Sequence, residues 1–186
     1  MPDVPETSEK PRATEKAVPY PDFVGKTYVL PDYYEIGREQ VRAFAKAVRN
    51  FDPIHHDEEA ARKAGFSSLV APPTFASIIG LLMQERLFEH IVKDYDLSQT
   101  VQAEQRFSFK RPICAGERLE CSVTMLNMRQ AVGVDIVETE NIGKIWGTEE
   151  VVLIGYTKVA GYTGAVMEES LKELVRDVMM HGRSIF

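Results

Sequence analysis

The residues of this chain whose types and spacing could do chemistry lie in one stretch, Asn50-Phe51-Asp52-Pro53-Ile54-His55. An Asp and a His that hold one water between them can take a proton from it and deliver another, which is general acid–base work. Pro53 fixes the backbone of the loop that would carry the pair. Asn50 cannot join as a base, because an amide can only orient water or His55. Asp52 can take that role if it points inward; its other use is to cap or brace the loop. His55 is the candidate base or water ligand, and its alternative is a loop histidine that bonds only to backbone. His56 reads as solvent-facing, and His90 and His181 read as helix-surface residues.

Periodicity places this loop between helices. Phe23 to Ile36 is a strand candidate interrupted by Pro31. Val41, Phe44, Ala45 and Val48 then recur at helical spacing. Asp57 is a good N-cap for a short helix to Ala64, with Gly65 beyond its end. Pro72-Pro73-Thr74 opens the next helix, where a missing proline N–H costs nothing. Phe75 to Val92 follows, and its first half is apolar nearly all round, the mark of a buried helix. From Val101 the period becomes two. Val101–Phe109, Glu117–Arg129, Val132–Asn141 and Trp146–Val159 read as long strands separated by Gly- or Asn-containing turns. Antiparallel strands at this spacing make a meander.

The rest of the chain sets limits. With 186 residues, it is the size of one domain that can bury a core without disulfides or metal. Residues 1–21 are rich in Pro, Glu, Lys, Thr and Ser and read as a disordered tail. Residues 22–163 form the domain, and 164–186 hold a charged amphipathic helix, Met167 to Met180. A net charge of −6 argues against a nucleic-acid partner. Cys114 and Cys121 have no second Cys pair, so they read as buried thiols in a reducing cytoplasm and not as a zinc site. The longest apolar run, Ile78 to Met83, is too short to span a bilayer, and no secretory leader is evident. The expected location is the cytoplasm.

Three blocks carry a family resemblance. Asn50 to His55, followed by Ala60-Ala61, resembles the signature loop of R-specific enoyl-CoA hydratases and MaoC-like dehydratases, G-D-x-N-P-[hydrophobic]-H. Ala71-Pro72-Pro73-Thr74-Phe75 looks like the start of the central helix in actinobacterial (3R)-hydroxyacyl-thioester dehydratase subunits and in the N-terminal MaoC-like dehydratase domain family. Phe109 to Leu119 looks like the strand–turn–strand that follows. The resemblance implies an α+β hot-dog fold, an antiparallel sheet wrapped around a long central helix, and a homodimer or a heterodimer with a related hot-dog subunit. It implies a hydro-lyase that adds or removes water on an acyl-CoA or acyl-carrier-protein thioester, with no metal or organic cofactor.

Within that resemblance, His55, Asn50 and Asp52 are the catalytic candidates. Pro73, Thr74, Phe75, Lys110 and Arg111 are the substrate-binding ones. Two departures sit on the chemistry. The family's acidic residue aligns with Asn50, and its Asn with Asp52. Its His-Gly pair at the central helix start is here Pro72-Pro73, and proline has no N–H to offer a thioester oxyanion. The N–H groups of Thr74 and Phe75 remain as candidates. Lys110 and Arg111 could meet phosphates or end a solvated strand. Met83 and Met128 could line an acyl tunnel or be plain core. The proline start resembles subunits that build a substrate channel while their partner supplies the acid–base pair. A catalytically silent binding subunit is therefore the alternative to an enzyme. A hot-dog thioesterase is the weaker third reading, since such enzymes usually lack this loop.

Overall fold

The computed structural model describes residues 21–91, 100–131 and 134–162, with positions 170 and 174. The tail expected over 1–21 (save Pro21), the helix expected within 164–186 (save positions 170 and 174), His181 and the side chain of His90 lie outside the described residues.

Among the described residues, six strands form one antiparallel sheet. They are β1 (Thr27–Val29), β2 (Tyr34–Glu35), β3 (Thr100–Phe109), β4 (Arg118–Ala131), β5 (Val134–Ile145) and β6 (Val151–Tyr162). The order is β1-β4-β5-β6-β3, and β2 also pairs with β4. The expected first strand is broken in two, because Pro31 removes a ladder donor between β1 and β2. Helices α1 (Arg38–Ala47), α2 (Glu58–Lys63) and α3 (Ala76–Ile91) accompany the sheet.

Alternation in the strands decides which face meets α3. Leu119, Cys121, Val123 and Met125 of β4 are all fully buried. A bulge between Met125 and Asn127 then resets the phase, so that Met128 also points inward. From the other side α3 contributes Ile79, Met83 and Leu87, at i, i+4 and i+8. Side chains of this size each stabilise the fold by about 1.5–3 kcal/mol when fully buried. Met83 and Met128 belong to this core. Cys114 and Cys121 are free and buried, and burial pushes the Cys121 thiol up to about 12.

Two sequence readings are corrected. Asn141-Ile142-Gly143 does not turn the chain; β5 runs through it to Ile145. Asn141 is buried and hydrogen-bonded, and a Cβ at Gly143 would lie 3.4 Å from Cβ of Leu153, so both residues fit the crowded inner face. The turn comes later, over Trp146 to Glu150, where Gly147 takes φ +76°. The central helix is also less enclosed than expected, with Leu81 48% exposed. A single sheet covers one side of a helix, and the flank bearing Ser77 and Leu81 faces away from it. No helix among the described residues is long and apolar enough to cross a membrane.

Candidate active site

Helix α1 ends in a turn that delivers Asn50. The Asn50 N–H returns to Ala45 O at 2.8 Å and the Arg49 N–H to Lys46 O at 3.0 Å, with Arg49 at φ 58°. This is a Schellman ending with a non-glycine residue in the left-handed position. Asp52 then caps a 3-10 turn, Pro53–His55, by accepting from Ile54 N–H at 3.1 Å. Asp57 caps α2 in the same way, through Ala60 N–H at 2.8 Å. Gly65 at φ +91° closes α2 with a second Schellman pair, which places Phe66 on the wall of the cavity described below.

His55 is buried at the centre of these turns. Val70 clamps its dipeptide with both backbone groups. The Val70 N–H donates to Ile54 O at 3.0 Å, and Val70 O accepts from Nδ1 of His55 at 2.6 Å. A carbonyl can only accept, so Nδ1 carries the proton. The Asn50 side chain settles the other nitrogen. Its Oδ1 accepts from Asp52 N–H at 3.2 Å, which leaves Nδ2 to donate to Nε2 of His55 at 3.0 Å. The ring is thus held with Nδ1 donating to a carbonyl and Nε2 facing an amide donor. His56 is half-buried, not solvent-facing, and its Nε2 donates to Asn50 O at 2.8 Å. That brace was missed because a pair of adjacent histidines gives no sign of which backbone carbonyl each one reaches.

A cavity of about 520 Å³ opens beside this ring. His55, Pro73, Phe75, Phe109, Lys110 and Arg111 are among its lining residues. Phe75 is anchored by an edge-on contact with Phe44 of α1, with ring centroids 5.3 Å apart. The Phe75 N–H is taken by Pro72 O at 2.8 Å, so of the two candidate donors it is not free. Thr74 is exposed, and its side chain is not among those lining the cavity. Asn50 reaches His55 from the end of α1 and Asp52 faces solvent, so His55 alone of the three catalytic candidates lines the cavity.

The two basic candidates differ in charge balance. Arg111 bonds Glu117 and Glu150, each at 2.7 Å. Its pKa is raised, chiefly by the Glu150 hydrogen bond, and Arg111 in turn holds the Glu150 carboxyl below its usual range. Lys110 makes no ion pair among the described residues and stands at the cavity edge.

Residues 22–150 match the family described as "FAS1-like, dehydratase domain region". The chain belongs to that family. It is 37% identical to a UPF0336 protein of Mycobacterium leprae over 155 residues, covering 82% of this chain and 95% of the relative. A UPF0336 protein of Mycobacterium tuberculosis is 38% identical over 144 residues, covering 77% and 90%. Among solved structures, the C-terminally truncated HadBC (3R-hydroxyacyl-ACP dehydratase) complex of Mycobacterium tuberculosis superposes with a TM-score of 0.68 at 37% identity, over 75% of this chain and 98% of that one. A MaoC-like dehydratase gives a TM-score of 0.74 at 33% identity over 89% of this chain, which spans 50% of that longer chain. The expected MaoC-like superfamily and hot-dog fold are thereby established.

Proposed function

We propose that this member of the dehydratase family is the acyl-binding subunit of a heteromeric (3R)-hydroxyacyl-thioester dehydratase. In the reaction, a base removes the α-proton, an acid protonates the leaving 3-hydroxyl as water, and the thioester oxygen gains transient negative charge; hydration reverses these steps. The reading is supported by an apolar cavity that would take the acyl group and by Lys110 among its lining residues, which would meet a phosphate of CoA or of a carrier-protein arm. The observation that carries the reading is at Nε2 of His55. Its neighbour there is an amide donor at 3.0 Å, and Asp52 is spent on capping the turn.

Two surface features support a second subunit. β3 ends the sheet order, so one edge of it has no strand partner among the described residues. An open ten-residue edge invites pairing. Leu81 and Val101, the latter 65% exposed, lie on the helix and strand that such a subunit would cover. HadBC is itself a complex, which agrees with this arrangement.

A second reading is an enoyl-thioester hydratase acting alone with His55 as base. It is favoured by the buried imidazole on the cavity wall, oriented by its Nδ1 bond to Val70 O. Crotonyl-CoA hydration separates the two. The subunit reading expects no turnover by the purified chain and activity once a related hot-dog subunit with its own Asp–His pair is added. Turnover by the chain alone that vanishes in His55→Ala establishes the second reading instead. Release of free CoA thiol would point to hydrolysis and away from both.

A further inference from the structure

The cavity wall contains a backbone ladder that stops after one bridge. Val70 and Cys114 pair antiparallel. Ala71 N–H donates to Ile113 O and Ala115 N–H to Leu69 O, each at 2.8 Å. In a continuing ladder Ala71 and Ile113 would exchange both of their hydrogen bonds. Only the one forms. Pro72 follows Ala71 and leads into the 3-10 turn Pro73–Phe75, so the two segments part there. The Ile113 N–H and the Ala71 O have no hydrogen-bond partner among the described residues. In an antiparallel pair the N–H and C=O of one residue lie on the same edge, so both unpaired groups face the gap between the segments.

Both residues line the cavity, and both are buried, Ile113 at 4% exposure and Ala71 at 8%. The other buried lining residues have their N–H groups bonded: His55 to Asp52 O, Val70 to Ile54 O, Phe75 to Pro72 O and Ala76 to Pro73 O. A backbone donor and acceptor left unpaired away from water cost stability until something supplies their partners. A donor beside an acceptor on one edge is the complement of an amide. A thioester has a C=O and no N–H, so it matches only half of this fork. The pantetheine arm of an acyl thioester carries amides between its phosphate and its sulfur. Lys110, also a lining residue, stands three positions before Ile113, at most about 11 Å away between Cα atoms. Val70, next to Ala71, holds the His55 ring through its carbonyl. The fork thus adjoins the lysine along one segment and the clamp of the imidazole along the other.

We propose that the Ile113 N–H and the Ala71 O bind an amide of the pantetheine arm, donating to its C=O and accepting from its N–H. The proposal rests on the acyl-thioester reading above. Its test is a titration of the full chain and of a full chain carrying the α-hydroxy acid analogue of isoleucine at position 113. That change replaces the N–H by an ester oxygen and keeps the side chain. The lost N–H has no protein partner, so the urea unfolding midpoint is expected to hold. Affinity for butyryl-CoA is expected to fall about 5- to 50-fold. Affinity for S-butyl-CoA, a thioether with the same arm and no thioester carbonyl, is expected to fall by the same factor. A butyryl-loaded carrier protein presents the same arm, and its affinity for the wild-type chain beside that of butyryl-CoA tells which source the site takes. Ile113→Pro read against Ile113→Ala repeats the comparison, since both shorten the side chain and only proline lacks the N–H. Equal affinities with and without the N–H overturn the fork and leave the pocket reading intact. A loss confined to butyryl-CoA gives the N–H to the thioester oxygen and overturns the amide assignment. No binding of any of these ligands by the wild-type chain overturns the acyl-thioester reading and this proposal with it.

Discussion

Asn50 donates its side-chain N–H to Nε2 of His55 at 3.0 Å, the one ring position that could otherwise take up a proton. A carboxylate of the same shape has no N–H to donate, so it bonds Nε2 only once that nitrogen takes up a proton from water, and the pair then holds a proton it can pass on. One carboxylate oxygen still accepts from Asp52 N–H, and the other now faces the imidazole. Asn50→Asp is therefore expected to raise crotonyl-CoA hydration by about 10²-fold or more over the wild-type chain, with the gain lost when His55→Ala is added. A folded Asn50→Asp chain with unchanged hydration rate would show that the amide is not what withholds chemistry.

Lys110 and Arg111 are adjacent in sequence and unequal in charge. Two carboxylates at 2.7 Å already neutralise Arg111, whereas Lys110 has no ionic partner among the described residues. Lys110→Ala is expected to weaken acyl-CoA binding about two- to fivefold at low salt. The deficit should shrink as added salt screens the charge. Equal affinities in titrations of both proteins would remove Lys110 from the binding surface.

The Arg111–Glu150 pair predicts a direction with pH. The guanidinium holds the Glu150 carboxyl below its ordinary 4.5 in the folded chain. A depressed folded value stabilises the fold above the unfolded value, and that contribution is lost as pH falls through the folded one. In urea titrations the wild-type chain should exceed Glu150→Gln in stability at neutral pH. The gap should close on acidification below about 4.5. A gap that widened in acid would contradict the pairing.

The fold was largely legible because its signals are local. The alternation of Leu119, Cys121, Val123 and Met125 specifies an inner face without knowledge of what covers it. Asp57 and Gly65 mark the ends of α2 by rules of a single helical turn. The reading failed at Asn141-Ile142-Gly143, where turn-forming types were recruited by tertiary contacts: Asn141 for a buried amide network, and Gly143 for close approach to Leu153. The site was legible as a list of residues but not as a geometry. His55 could be singled out from its loop. That Val70, fifteen positions on, would fix its tautomer depends on a backbone carbonyl, which leaves no trace in residue type. The capping role of Asp52 was one of two open uses, and the choice between them needed the direction of its side chain.

Arg49 gives the last test, one that links stability to the site. It occupies the left-handed region at φ 58°, at the helix-ending position where glycine is usual. The Cβ there costs about 1 kcal/mol against the following carbonyl, part of it offset by the greater unfolded-state freedom of glycine. Arg49→Gly is expected to stabilise the chain by about 0.5–1 kcal/mol in urea unfolding. Arg49→Ala, which keeps the Cβ, should give no gain. Equal gains from both variants would assign the effect to the lost charge and not to the backbone. Because this turn aims Asn50 at His55, relief of its strain should leave acyl-CoA affinity unchanged. A loss of affinity in Arg49→Gly would mean that the arginine holds the turn in a register glycine does not keep.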